Sequence, residues 1–175
     1  MRKILLSFLA LAACTGALAQ SKIPLLDRVP GHRVQCSYTY SLSKEGGPFN
    51  EVTAGQLEVE DNAFRLDALG LRIISDGTTR WTLDDEAREA VVETVQREDI
   101  VTNPALLIGH YADFAKDIVV NASGKDFLDV TLVMDDTNRA RFFLKDIVFG
   151  DRKGNSDFSM NEQSLPKDYL LTDLR

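Results

Sequence analysis

Cysteine, histidine, tryptophan and proline are scarce: the 175-residue chain has two, two, one and five of them. His32 and His110 stand apart from each other and from any cysteine, so no zinc-ligand spacing exists. There is no G-x-S-x-G elbow, no glycine-rich phosphate loop and no H-E-x-x-H pair. That removes the hydrolases, nucleotide-binding proteins and metalloproteases which those motifs define. Positive charge is short as well. Twenty Lys and Arg face 27 Asp and Glu, a net charge of −7, and a surface that acidic repels nucleic acid and anionic lipid. No apolar run is long enough to span a bilayer as a helix, no tract is low in complexity and no segment repeats. With 44% hydrophobic and 27% charged residues, what remains is the composition of one globular domain.

The first 19 residues read as an address. Arg2 and Lys3 form a basic start, residues 4–13 form an apolar stretch, and Ala17-Leu18-Ala19 fits the small-x-small pattern before a cleavage site. The expected division is a signal peptide over 1–19 and one domain over 20–175, exported to the periplasm and beginning at Gln20. Loss of Arg2 and Lys3 takes the charge to −9. Leu11-Ala12-Ala13-Cys14 also matches a lipobox, and cleavage there would leave Cys14 as an acylated first residue, anchored at a membrane. Cut before Gln20, the chain keeps Cys36 alone and cannot form an internal disulfide.

Along the domain the dominant period is two. Val34, Cys36, Tyr38, Tyr40 and Leu42 alternate with Gln35, Ser37, Thr39 and Ser41, a strand with one dry and one wet face, in which Cys36 is a buried strand residue. A short amphipathic helix is expected before it over 23–29, stopped by Pro30-Gly31. Gly46-Gly47-Pro48 ends the strand. Leu57 and Val59, then Phe64 and Leu66, then residues 71–75, then Trp81 and Leu83 form a meander of short strands. Its turns are Asp61-Asn62, Leu69-Gly70 and Asp76-Gly77, the last read as a type I′ hairpin. Residues 90–95 form a further strand. Asn103 is placed to cap a helix with Pro104 in its first position, and Leu107, Tyr111 and Phe114 recur on one side of it, with Ile108 and Ala115 alongside. Strands resume over 118–120, 127–134 and 140–149, with Leu128, Val130, Leu132 and Met134 on one face. Phe158 and Met160 suggest an edge strand, and residues 169–174 close the chain. The fold class is mainly β with two helices: one curled antiparallel sheet whose dry face the helices cover.

Nothing in this pattern calls for covalent chemistry. Asp84-Asp85-Glu86 and Asp135-Asp136 are paired acids, but they sit between strands, where acidic residues make turns. His110 reads as an exposed bystander on the helix. Asn121-Ala122-Ser123 matches a glycosylation triplet, a frequent chance match. No catalytic residue, metal ligand or cofactor is expected, and the chain is read as a non-enzyme.

Gly55-x-Leu57-x-Val59, then Phe64, then Ile74-Ser75-Asp76-Gly77-Thr78-x-x-Trp81 resemble the periplasmic outer-membrane lipoprotein carriers, the LolA-like family. Asn103-Pro104 before Leu106, Leu107 and Ile108 sits where that family has its Pro-initiated lid helix, and Leu26-Asp27-Arg28-Val29 is also similar. The resemblance covers residues 25–115 best. It implies a half-open β-barrel with helices over its mouth, an apolar cavity that holds lipoprotein acyl chains, and a soluble monomer that moves them from the inner to the outer membrane. Its implied partners are lipoproteins, an inner-membrane lipoprotein-releasing transporter and an outer-membrane receptor. By motif match the cavity wall includes Leu57, Val59, Phe64, Ile73 and Trp81; alternation adds Tyr38, Tyr40, Leu66 and Leu83. The lid face is Leu107, Ile108 and Tyr111.

The chain also departs from that family. Carriers of the well-known type follow G-x-L-x-V with a basic residue and proline, and the arginine there ties lid to barrel. Here Glu60-Asp61-Asn62 stand in that place, so the resemblance assigns no latch, and neither Arg65 nor Arg72 inherits the role. Other readings remain: a membrane-anchored receptor of the same fold through Cys14, a module for a different amphiphile, and an envelope protein with a filled core.

Overall fold

The computed structural model describes residues 23–95, 103–114 and 117–175. The expected signal peptide and Cys14 lie outside the described residues, as does Ala115. Ten strands form one sheet: β1 (His32–Ser43), β2 (Asn50–Glu60), β3 (Ala63–Ala68), β4 (Leu71–Ser75), β5 (Thr79–Asp84), β6 (Glu89–Thr94), β7 (Ile118–Ser123), β8 (Leu128–Val133), β9 (Arg139–Asp151) and β10 (Leu170–Asp173). Their order is β10-β6-β5-β4-β3-β2-β1-β9-β8-β7, so β10 and β7 are the two edges and the sheet is open. All pairings are antiparallel except β10 on β6, which makes the sheet mixed and corrects the all-antiparallel expectation. The cause is the long return after β9, which delivers the last strand to the β6 edge running the same way.

Register decides what the sheet buries, because residues directly opposite one another share a face. Cys36 pairs with Leu57, Leu57 with Leu66, Leu66 with Ile73, Ile73 with Thr82 and Thr82 with Val91. That row lies on the inner face. Tyr38, Leu144 and Leu128 extend the same face across β9 and β8, as do Tyr40, Phe142 and Val130. The rings of Tyr40 and Phe142 stack 5.3 Å apart. A six-residue helix, α1 (Pro104–Gly109), lies over β2 and β3 and seals this core with Leu107 and Ile108, while Ile23, Leu25, Leu26 and Val29 pack in beside it.

The outer face of β3–β6 is apolar too. Ile74 pairs with Trp81 and Trp81 with Val92, and Leu83 lies opposite Ala90. Ala63, Ile74, Trp81, Leu83 and Val92 form a second core, covered by the chain after β9 through Phe158, Met160, Leu165, Tyr169 and Leu171. The covering segment is pinned by a buried ion pair. Arg33 Nε donates to Glu60 Oε2 at 2.8 Å, and Arg33 also reaches Asp157 Oδ2 at 2.8 Å and the Gly154 carbonyl at 2.9 Å. The backbone N–H groups of Lys153 and Gly154 donate to the Glu60 carboxylate at 3.1 and 2.8 Å. The Arg33 guanidinium lies 4.7 Å over the Phe158 ring.

Local chemistry corrects several sequence expectations. The helix expected over 23–29 is a single 3-10 turn, Leu26–Arg28. The long helix after Asn103 breaks at Gly109-His110, where His110 leaves helical geometry (φ −130°, ψ 25°), and resumes as a 3-10 turn over Tyr111–Phe114. Glycine at the end of so short a helix favours that stop. Asn103 does not cap α1 through its side chain. Phe158 belongs to a 3-10 turn, Asn155–Phe158, and is fully buried instead of lying on an edge strand. In the β4–β5 hairpin only Gly77 takes positive φ, at 89°. Asp76 Oδ1 accepts from the Thr78 and Thr79 N–H groups at 2.8 Å each, so a side chain shapes that turn and it is not type I′. Both residues take positive φ in Leu69-Gly70, at 55° and 78°, and in Glu45-Gly46, at 52° and 71°. Met134 lies past the end of β8 and is exposed, unlike Leu128, Val130 and Leu132.

Burial alone would raise the pKa of Glu60; the hydrogen bonds from Arg33, Lys153 and Gly154 outweigh it and hold the carboxyl at about 2. Its ordinary value is 4.5. The folded state therefore favours the carboxylate, and that stabilisation is complete above pH 4.5 and lost as pH falls toward 2. Glu60→Gln is expected to lower stability at pH 7 by about 3 kcal/mol, because Arg33 loses its fully buried counter-charge and keeps only the more exposed Glu58 and Asp157. It is also expected to flatten the acid side of the stability curve. Urea unfolding at neutral and acid pH checks both.

Candidate functional site

The inner face under α1 gathers most of the residues expected to hold a ligand. Tyr38, Tyr40, Leu57, Val59, Phe64 and Leu66 share one buried core with Leu107 and Ile108, and Ile73 packs against it half-buried. Trp81 and Leu83 do not join them. Register places both on the opposite face, in the core under the C-terminal segment, so they are not part of the same wall. The reason is that β4 is apolar on both sides, Ile73 facing inward and Ile74 outward, and Trp81 pairs with Ile74.

The helix that covers the face is small and held by few polar contacts. His110 Nε2 lies 2.6 Å from Asn62 Oδ1, in the β2–β3 turn, so His110 is exposed but engaged. Tyr111 is half-buried and donates its hydroxyl proton to Asp27 Oδ1 at 2.9 Å, tying the 3-10 turn after α1 to the one before β1. A Cβ added to Gly109 would sit 3.3 Å from the Asp61 carbonyl, so the turn and the helix end approach closely. The Glu60-Asp61-Asn62 turn thus meets α1 through an asparagine and a histidine, where the resembling family uses an arginine. Arg65 donates to the Asp157 carbonyl at 2.8 Å, and Arg72 to Asp85 Oδ2 at 3.1 Å, so both serve other parts of the fold. Asn103, at the start of α1, is buried with its Oδ1 unpartnered.

The interior is packed, and surface clefts lie outside it. One of about 290 Å³ on the outer face of β1–β3 is lined by Gln35, Gln56, Glu58, Arg65 and Asp67. Another of about 360 Å³ is lined by Phe49, Val119, Val133 and Arg139. The acid pairs serve turns: Asp84 Oδ1 accepts from the Glu86 and Ala87 N–H groups, and Asp135 Oδ1 from those of Thr137 and Asn138. Cys36 is buried in β1, and burial pushes its thiol up to about 12, far from thiolate chemistry at neutral pH.

Sequence reasoning missed the Arg33–Glu60 pair, the His110–Asn62 contact and the burial of Phe158. Two signals existed for the second core: Ile73-Ile74 and Ala90-Val91-Val92 are continuous apolar runs, which mark strands covered on both faces. No protein-family model matches the chain, and no curated protein matches it.

Asn62→Ala removes the partner of His110 without touching the core. Loss of one such hydrogen bond is worth about 1 kcal/mol, so amide exchange in α1 is expected to rise about fivefold while the sheet amides stay unchanged. Equal protection of α1 in the variant would show that this contact does not hold the helix.

Proposed function

We propose that the protein is a periplasmic carrier for the acyl chains of lipoproteins, with the inner sheet face as the binding surface and α1 as a lid. The observation that carries this reading is the cover itself. An apolar face of an open sheet is closed over β2 and β3 by the six-residue α1, with Ile23, Leu25, Leu26 and Val29 beside it, and the cover is held by a histidine–asparagine and a tyrosine–aspartate hydrogen bond. Sealing with Leu107 and Ile108 removes about 1.5–3 kcal/mol of exposed side chain each from water, a cost that incoming acyl chains can offset. An acyl chain is worth about 0.8 kcal/mol per buried CH₂, so a multi-acyl anchor needs such a shield to cross water. In this reading the sheet is a half-open barrel and its packed interior is the closed, empty state; cargo displaces α1 and takes its place. The work is transfer without covalent chemistry, between a membrane transporter that releases lipoproteins and a receptor that accepts them. The LolA-like motifs around Leu57, Trp81 and Pro104 support the same reading.

Leu107→Glu would place a carboxylate in a sealed core, so it expels α1 or unfolds the protein and does not test capture cleanly. Cys36→Ala, by contrast, is expected to cost about 1 kcal/mol of stability and leave capture intact.

A second reading, a receptor of this fold anchored through acylated Cys14, draws on Leu69. It is 71% exposed, on left-handed backbone at the tip of the β3–β4 hairpin, where a leucine is costly unless it meets an apolar partner. Native and denatured masses of the protein purified from the periplasmic fraction without detergent separate the readings. A mature chain starting at Gln20, with a lipoprotein that leaves on denaturation, is expected for the carrier. A membrane-bound form whose mass fits acylated Cys14 favours the receptor. A soluble chain with only a small lipid overturns the cargo.

A further inference from the structure

The inner face does not end where α1 ends. The row that starts at Cys36 and Leu57 in the sealed core continues through Leu66 to Ile73, Thr82 and Val91, and Val91 pairs with Thr172 on β10. Burial falls along it. Leu66 is buried, Ile73, Thr82 and Val91 are half-buried, and Thr172 is exposed. No member of the row is charged, whereas both neighbouring rows are. Arg80 and Glu93 lie on one side, paired at 2.9 Å, and Asp84 and Glu89 lie on the other. The result is an uncharged lane that leads from the open β10 edge into the core, one residue wide where Arg80–Glu93 and Asp84–Glu89 flank it on β5 and β6, and flanked by Leu170 on β10 and by Leu71 and Ser75 on β4. Five strands spaced about 4.8 Å apart make it ~19 Å long, matching an extended long acyl chain.

We propose that one acyl chain of the cargo lies across β10, β6, β5 and β4 in this lane, and that it is the route by which chains pass under α1. The proposal rests on the carrier reading. Two features single out this occupant: continuity with the sealed core, and an uncharged row that begins beside the exposed Leu170 and narrows to one chain's width between the charged pairs on β5 and β6. Ile73 is the junction, packed against the core on one side and open to the lane on the other. A chain arriving there needs α1 displaced only at its near edge, so loading proceeds stepwise and does not expose the whole core at once.

The test uses the wild-type protein with 16-doxyl-stearate as probe and side-chain methyl NMR as readout. The proposal expects the spin label to broaden the Ile73 and Val91 methyls, while the Val119 methyls, on the outer face of β7, stay sharp. Broadening of the Leu57 and Leu66 methyls alone would keep the carrier reading and overturn the lane. Absence of broadening at every inner-face methyl would overturn both. Thr82→Glu and Val91→Glu, at half-buried positions, give a second measure. Each is expected to weaken stearate binding at least about tenfold, with Val119→Glu unchanged, since a carboxylate in the lane must be desolvated by the chain. Undiminished binding by folded Thr82→Glu and Val91→Glu would also overturn the lane.

Discussion

The buried pair between Arg33 and Glu60 is the contact on which the two-faced sheet depends. It sits where β1 begins and β2 ends, on the outer face, and it binds the chain after β9 through Asp157, the Gly154 carbonyl, and the Lys153 and Gly154 N–H groups. Removing two charges from water is costly, and such a pair persists when its geometry and its further hydrogen bonds are good. Here the return is positional. The pair ties down the C-terminal segment that covers Trp81, Leu83 and Val92. The inner face is then left for α1, which is short and has no ion pair to hold it to the sheet among the described residues.

This asymmetry gives the molecule its functional logic. One apolar face carries a cover pinned by charge, and the other carries a cover held by packing and by two hydrogen bonds, one to an asparagine and one to an aspartate. The cover with fewer polar ties is therefore on the inner side, where β2 and β3, with Leu57, Val59, Phe64 and Leu66, lie beneath α1. A carrier requires that arrangement, because a cavity that stayed open would expose apolar surface, and one that was locked would never load.

Strand content was legible because alternation is a local property. The dry positions of β1, from Val34 to Tyr40, were readable from one stretch of sequence and are buried in the structure. The face on which a neighbouring strand sets its dry side depends on turn register, which no single strand encodes. Trp81 and Leu83 were therefore assigned to the wrong face, although their strand was placed correctly. The contacts that hold the covers, Arg33 to Asp157 across 124 residues and His110 to Asn62 across 48, are separated too far for spacing to show them. The helix lost half its expected length for a local reason, since Gly109-His110 is a stop that the apolar period ran through. Of the side chains read on that helix's inward side, Leu107 and Ile108 are buried and Tyr111 is half-buried and tied to Asp27.

The central claim is that α1 is displaced when acyl chains occupy the inner face. Amide exchange of the whole protein, with and without a tripalmitoylated cysteine peptide, tests it most directly. The account predicts faster exchange over residues 104–109 and slower exchange in β1, β2 and β3 when the peptide is bound, with the segment pinned by Arg33 unchanged. Unchanged or slower exchange in α1, together with changes confined to the outer face, would contradict it.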